Sequence, residues 1–140
     1  MCAGGVGMER ARQITIGTPV TFRVAVVTGD LLDRTRIEEV VRRAGLEPVT
    51  LANRAAVERA LAVSIPSVAL VDLRVGEAER IIELLDAAGV VVTVFGPHVD
   101  EAALERARAA GAAEALPRSR FFSRLPHRFE ARDGYQSTME

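Results

Sequence analysis

Five short apolar runs, most of them rich in β-branched residues, recur along this chain: Arg23–Val27, Pro48–Leu51, Val68–Val71, Val90–Phe95 and Ala113–Leu116. Strands buried on both faces read as near-continuous apolar runs, whereas half-exposed strands alternate with polar residues. The stretches between them carry apolar residues at helical spacing. Ile37, Val40, Val41 and Ala44 fall at i, i+3, i+4 and i+7; Val57, Ala60 and Leu61 follow, then Ile81, Ile82, Leu85 and Ala88, then Leu104, Ala107 and Ala110. Asn53 and Asp100 are placed to cap helices, and Gly45, Gly89 and Gly111 each follow an alanine and supply a left-handed stop.

Strands joined by helical crossovers must run parallel, the crossovers are right-handed, and the helices cover both sheet faces. The expected fold is α/β, a flavodoxin-like (βα)5 doubly wound sheet in strand order 2-1-3-4-5. In that order the ends of strands 1 and 3 meet at a topological switch point, and Asp30 and Asp72 both face the crevice there. Residues 1–20, with Gly4, Gly5, Gly7 and Gly17, read as a flexible N-terminal arm, residues 21–129 as the domain and residues 130–140 as a C-terminal tail. A last helix from Ser119 to Phe129 would present Phe122, Leu125 and Phe129, with Pro126 expected to break it.

Composition removes several chemistries. The 18 basic residues are all Arg, which excludes Schiff-base lysines and the phosphate-cradling lysine of a P-loop. Cys2 is the only cysteine, and His98 and His127 are the only histidines, so no disulfide framework or Cys-rich zinc site is available. No Gly-x-Ser-x-Gly elbow occurs. A formal charge of −1 argues against nucleic acid as a partner. No run approaches the ~20 apolar residues of a membrane span, so no membrane association and a cytoplasmic location are expected.

Four stretches carry a resemblance: residues 22–30 (FRVAVVTGD), 67–74 (SVALVDLR), 90–98 (VVVTVFGPH) and 109–116 (AAGAAEAL). Over about Phe22 to Leu125 the chain resembles a response-regulator receiver domain. The resemblance implies a phosphoryl-accepting aspartate at the end of strand 3, and Asp72 holds that place. The rest of the family's apparatus departs. The acidic pair that holds Mg²⁺ falls on Thr28 and Gly29, with only Asp30 carrying charge. The strand-4 hydroxyl falls on Gly96, the switch aromatic on Ala115 and the lysine on Arg118, a planar fork in place of a point charge.

The candidate phosphoacceptor is therefore Asp72, with Thr28, Asp30, Gly96, His98 and Arg118 lining the site and Asp30 and Asp72 as metal ligands where phosphorylation recruits Mg²⁺. Asp72 can equally be held by nearby backbone N–H groups or by Arg118. The expectation is a stand-alone, degenerate receiver-like module, with no enzyme activity and no resident cofactor. It would act through a protein partner or a homodimer, without phosphorylation. The first alternative is a working phosphoacceptor in a two-component phosphorelay; the second is a small-ligand binder or enzyme using Asp72, His98 and Arg118. Arg120, Arg124, Arg128 and Arg132 recur every four residues and would form a basic stripe on an unbroken helix.

Overall fold

The computed structural model describes residues 22–97 and 100–139, with side chains through Phe129. Strands β1 (Arg23–Val27), β2 (Glu47–Leu51), β3 (Val68–Asp72), β4 (Val91–Gly96) and β5 (Glu114–Pro117) alternate with helices α1 (Leu31–Arg43), α2 (Arg54–Val63), α3 (Ala78–Ala87), α4 (Glu101–Ala110) and α5 (Arg118–Met139). All five strands are parallel, in the order β2-β1-β3-β4-β5. The strand alternation divides the core in two. Ala25, Val27, Ala69 and Val71 face α2, α3 and α4, where they meet Val57, Ile81, Leu85 and Leu104. Val24, Val26, Leu70 and Phe95 face α1 and α5, where they meet Ile37, Val41, Phe121 and Leu125. On that second face Phe95 stacks on Phe121 with centroids 4.3 Å apart and meets Phe122 edge-on. Each such ring pair contributes about 1 kcal/mol beyond its buried area.

The expected caps are in place: Asn53 accepts from the amide of Ala56 and Asp100 from that of Ala103. Gly45, Gly89 and Gly111 take positive φ at the ends of α1, α3 and α4, a conformation that costs a residue with a Cβ about 1–2 kcal/mol.

The C-terminal segment differs from its sequence reading. The backbone of α5 is helical from Arg118 to Met139 with Pro126 inside it, and residues 130–139, read as a tail, continue that helix. Pro126 forfeits one hydrogen bond, but Phe121, Phe122, Leu125 and Phe129 are all buried against the sheet and hold the helix across it. The basic stripe is thereby interrupted differently: Arg120 and Arg124 are exposed, Arg128 is paired to Glu114 at 2.7 Å, and the Arg132 side chain lies outside the described residues. No described helix is long and apolar enough to cross a membrane. The arm of residues 1–20 also lies outside the described residues.

Candidate functional site

The register pairs Val27 of β1 with Val71 of β3, so the next residues, Thr28 and Asp72, emerge side by side at the carboxyl edge of the sheet. The Thr28 hydroxyl donates to Asp72 Oδ2 at 2.9 Å, and both residues are buried. After Asp72 the chain turns sharply, with the Val75 amide bonded to the Asp72 carbonyl. That turn brings the Arg74 amide to 2.9 Å from Asp72 Oδ1. It also folds the Arg74 side chain back over the same carboxylate. Nε lies 3.1 Å from Oδ1 and Nη2 lies 2.8 Å from Oδ2, a bidentate geometry that combines charge with directional hydrogen bonds.

The Arg74 fork is shared. Nη2 also donates to Asp33 Oδ2 at 2.9 Å and approaches Asp30 Oδ2 at 3.7 Å. Asp33 is buried in the first turn of α1, and it is gripped from the other side by Arg118, whose Nη1 donates to Oδ2 at 2.6 Å and whose Nη2 donates to Oδ1. The guanidinium of Arg118 rests over the ring of Phe122, 4.8 Å from its centroid, which orients it toward Asp33. The result is a continuous chain, Thr28–Asp72–Arg74–Asp33–Arg118. The hydrogen bond to Asp72, followed by the charges of Asp72, Asp33 and Asp30, raises the pKa of Arg74 above its ordinary value despite partial burial. The hydrogen bond to Asp33 raises that of Arg118. Both remain charged at every physiological pH.

Asp30 has a separate duty. It is the N-cap of α1, and its Oδ1 accepts from the Asp33 amide at 2.9 Å. That amide, assisted by the charge of Arg74, holds the Asp30 carboxyl below the usual carboxylate range. Asp30, Asp72 and Arg74 border an open crevice together with Gly29, Ala52 and Val75.

The sequence reading offered Asp72 either nearby backbone N–H groups or Arg118, and the Arg74 amide is one such group. The structure gives Arg118 to Asp33, and Arg74 takes Asp72. Thr28 touches Asp72 as the sequence placement implied. Gly96 ends β4, but Leu73 covers it: a Cβ built there would sit 2.9 Å from Leu73 Cδ1. His98 lies outside the described residues. Asp33 and Arg74 were not singled out from sequence. The available signal was that Asp33, Ile37 and Val41 fall at i, i+4 and i+8, which places an acid in phase with the buried stripe of α1.

Receiver chemistry needs a divalent cation beside the phosphoacceptor, and the residues here do not fit one. Arg74 Nη2 already stands among the carboxylates of Asp30, Asp33 and Asp72, and the strand-end residues flanking it are Thr28 and Gly29. Among the described residues no group of three or more His, Cys, Asp or Glu side chains is arranged to hold a metal ion. The arrangement supplies a fixed internal cation in place of an exchangeable one.

Neither a family model nor a curated protein matches the sequence. Solved structures do match the fold. A response regulator from Thermotoga maritima aligns with a TM-score of 0.69 at 18% identity, covering 80% of this chain and 97% of that one. The receiver domain of the NarL response regulator from Mycobacterium tuberculosis aligns with a TM-score of 0.65 at 21% identity, covering 78% and 93%. An orphan response regulator of H. pylori aligns with a TM-score of 0.67 at 18% identity, covering 79% and 95%. The chain has the fold of response-regulator receiver domains, a flavodoxin-like α/β fold used by signalling modules.

Proposed function

We propose that this chain is a signalling module that acts by contact with a protein partner and does not accept a phosphoryl group at Asp72. The observation that carries this reading is the Arg74 fork on Asp72. In the receiver fold the aspartate at the end of β3 must offer a free carboxylate oxygen as nucleophile and share a metal ion with neighbouring carboxylates. Here one Asp72 oxygen accepts from Thr28 and Arg74 Nη2, and the other from the Arg74 amide and Nε. Attack by Asp72 on a phosphorus atom would require breaking a bidentate charge-assisted pair that is half shielded from water.

A solved neighbour marks the contrast. A response regulator from Burkholderia pseudomallei, with a TM-score of 0.64 at 13% identity, carries a phosphorylated aspartic acid and a calcium ion. In this chain the Arg74 guanidinium stands among the carboxylates of Asp30, Asp33 and Asp72, which supports a module whose conformation is set by contacts and not by covalent modification.

Intact-mass measurement after incubation with Mg²⁺ and acetyl phosphate tests the reading, with Asp72→Asn treated in parallel and a working receiver as positive control. An unmodified chain beside a labelled control is expected. A phosphoryl adduct that disappears in Asp72→Asn overturns the proposal and makes the protein a phosphoacceptor.

A further inference from the structure

Helix α2 packs loosely. Of its residues Arg54–Val63 only Val57 is fully buried, and its inward positions Ala56 and Ala60 are small. Beneath it a cavity of about 130 Å³ remains. Val49 and Leu51 of β2, Val57, Ala60 and Leu61 of α2 and Leu85 of α3 form its walls. The pocket opens to solvent past Val63 and Ser64, so its apolar walls face water instead of packed side chains. An apolar cavity of about 150 Å³ has room for a six-carbon molecule such as benzene.

The mouth is chemically distinct from the interior. It lies at the amino ends of the strands, opposite the Asp72 crevice, where Arg23 and Ser64 are the polar residues on the lining. Arg23 uses only Nε toward Glu47, at 3.3 Å, in an ion pair whose members are 42% and 52% exposed. Pairs so exposed are readily exchanged. The two terminal guanidinium nitrogens have no partner among the described residues. Glu47, by contrast, is not part of the lining.

We propose that this cavity is a binding site for a small amphiphilic carboxylate, with an aliphatic tail of about six carbons under α2 and its carboxylate on the free edge of the Arg23 guanidinium. Such a ligand satisfies both halves of the site at once: the tail takes apolar wall out of water, and the head meets a fork suited to bidentate carboxylate recognition. Occupancy would reach the crevice through α2 itself. Leu51 borders the cavity and Ala52 the crevice, and Arg54 at the start of α2 is paired to Glu77, which caps α3 just past Gly76. The site thus offers an input to the module that does not pass through Asp72, and it stands whether or not Asp72 can be phosphorylated.

The test is methyl NMR on the full chain, titrated separately with hexanoate and hexylammonium. Hexanoate should give saturating shifts at Val49, Val57 and Leu61, and hexylammonium should bind at least tenfold more weakly. Arg23→Gln should erase that preference, while Glu47→Gln should sharpen it. Ala60→Leu, which fills the void, should remove the response to hexanoate while keeping or raising the melting temperature; Arg23→Gln, at the exposed rim, serves if Ala60→Leu fails to fold. The proposal is overturned by an absent or non-saturating response to hexanoate, by equal affinity for hexylammonium, or by binding that survives in folded Ala60→Leu. Methyl contacts from Ile14 or Ile16 to Leu61 would overturn it too, by assigning the cavity to the chain's own first residues.

Discussion

Arg74 straddles Asp72, with Nε 3.1 Å from Oδ1 and Nη2 2.8 Å from Oδ2, although only Leu73 separates the two residues in sequence. The strand-end carboxylate is thus neutralised by its own loop. Removing the guanidinium leaves a carboxylate that is 3% exposed with only a hydroxyl and an amide. Breaking a fully buried pair costs about 3–5 kcal/mol, but Arg74 is 46% exposed and the pair is partly screened. Arg74→Ala is expected to lose about 1–2 kcal/mol, read from the urea midpoint; an unchanged midpoint would show that the fork contributes nothing.

Arg118 grips Asp33 with two nitrogens, a geometry an ammonium cannot copy. Arg118→Ala should destabilise by about 1–2 kcal/mol after allowance for its 40% exposure. Arg118→Lys should recover less than half of that loss. Full recovery by lysine in chemical denaturation would mean that charge alone matters at this position.

Acid should weaken the fold in a defined direction. Asp30 is held low by the Asp33 amide, and Glu114 is held below its ordinary 4.5 by the hydrogen bond from Arg128. A carboxylate depressed in the folded state stabilises above its unfolded pKa and loses that contribution as pH falls through the folded one. Stability should therefore be level from neutral pH down to about 5 and fall below it, and Glu114→Gln should flatten part of the fall in urea titrations. A slope unaffected by that substitution would exclude the Arg128 pair as its source.

Leu73 occupies the space where a side chain at Gly96 would project. Gly96→Ser should cost about 1 kcal/mol through overpacking. Combined with Leu73→Ala, its added cost should vanish; strict additivity in the double-mutant cycle would show that the two positions are independent.

Pro126 lies inside α5 and gives up one backbone hydrogen bond there. Pro126→Ala should stabilise the protein by about 1–3 kcal/mol, raising the melting temperature. A loss of stability would place a true break in the helix at that point.

The architecture was legible because its signals are local. Runs such as residues 68–71 are apolar at every position because both sheet faces are covered, and Asn53 and Asp100 announce their helices by a bond only three residues long. The end of β5 was likewise marked by Pro117. The wiring of the site was not local. Arg118 reaches Asp33 across 85 positions and Arg74 reaches it across 41. Which of two neighbouring acids a guanidinium selects depends on helix α1 standing close enough to the sheet edge, and spacing in the sequence carries no record of that distance. The continuity of α5 was missed for a related reason: Pro126 acts locally, whereas Phe121, Phe122, Leu125 and Phe129 gain their hold from a cluster that includes residues distant in sequence, such as Ile37 of α1 and Phe95 of β4.

The shared fork also sets a kinetic condition. Any donor that modified Asp72 would have to wait for Arg74 to swing out, because the nucleophilic oxygens are covered for as long as the guanidinium is seated. The rate of labelling would then be scaled down by the fraction of time the guanidinium is unseated, while still rising in proportion to donor concentration, because side-chain excursions are far faster than phosphoryl transfer. The site would behave as a latch that rations the exposed nucleophile without itself becoming the slow step.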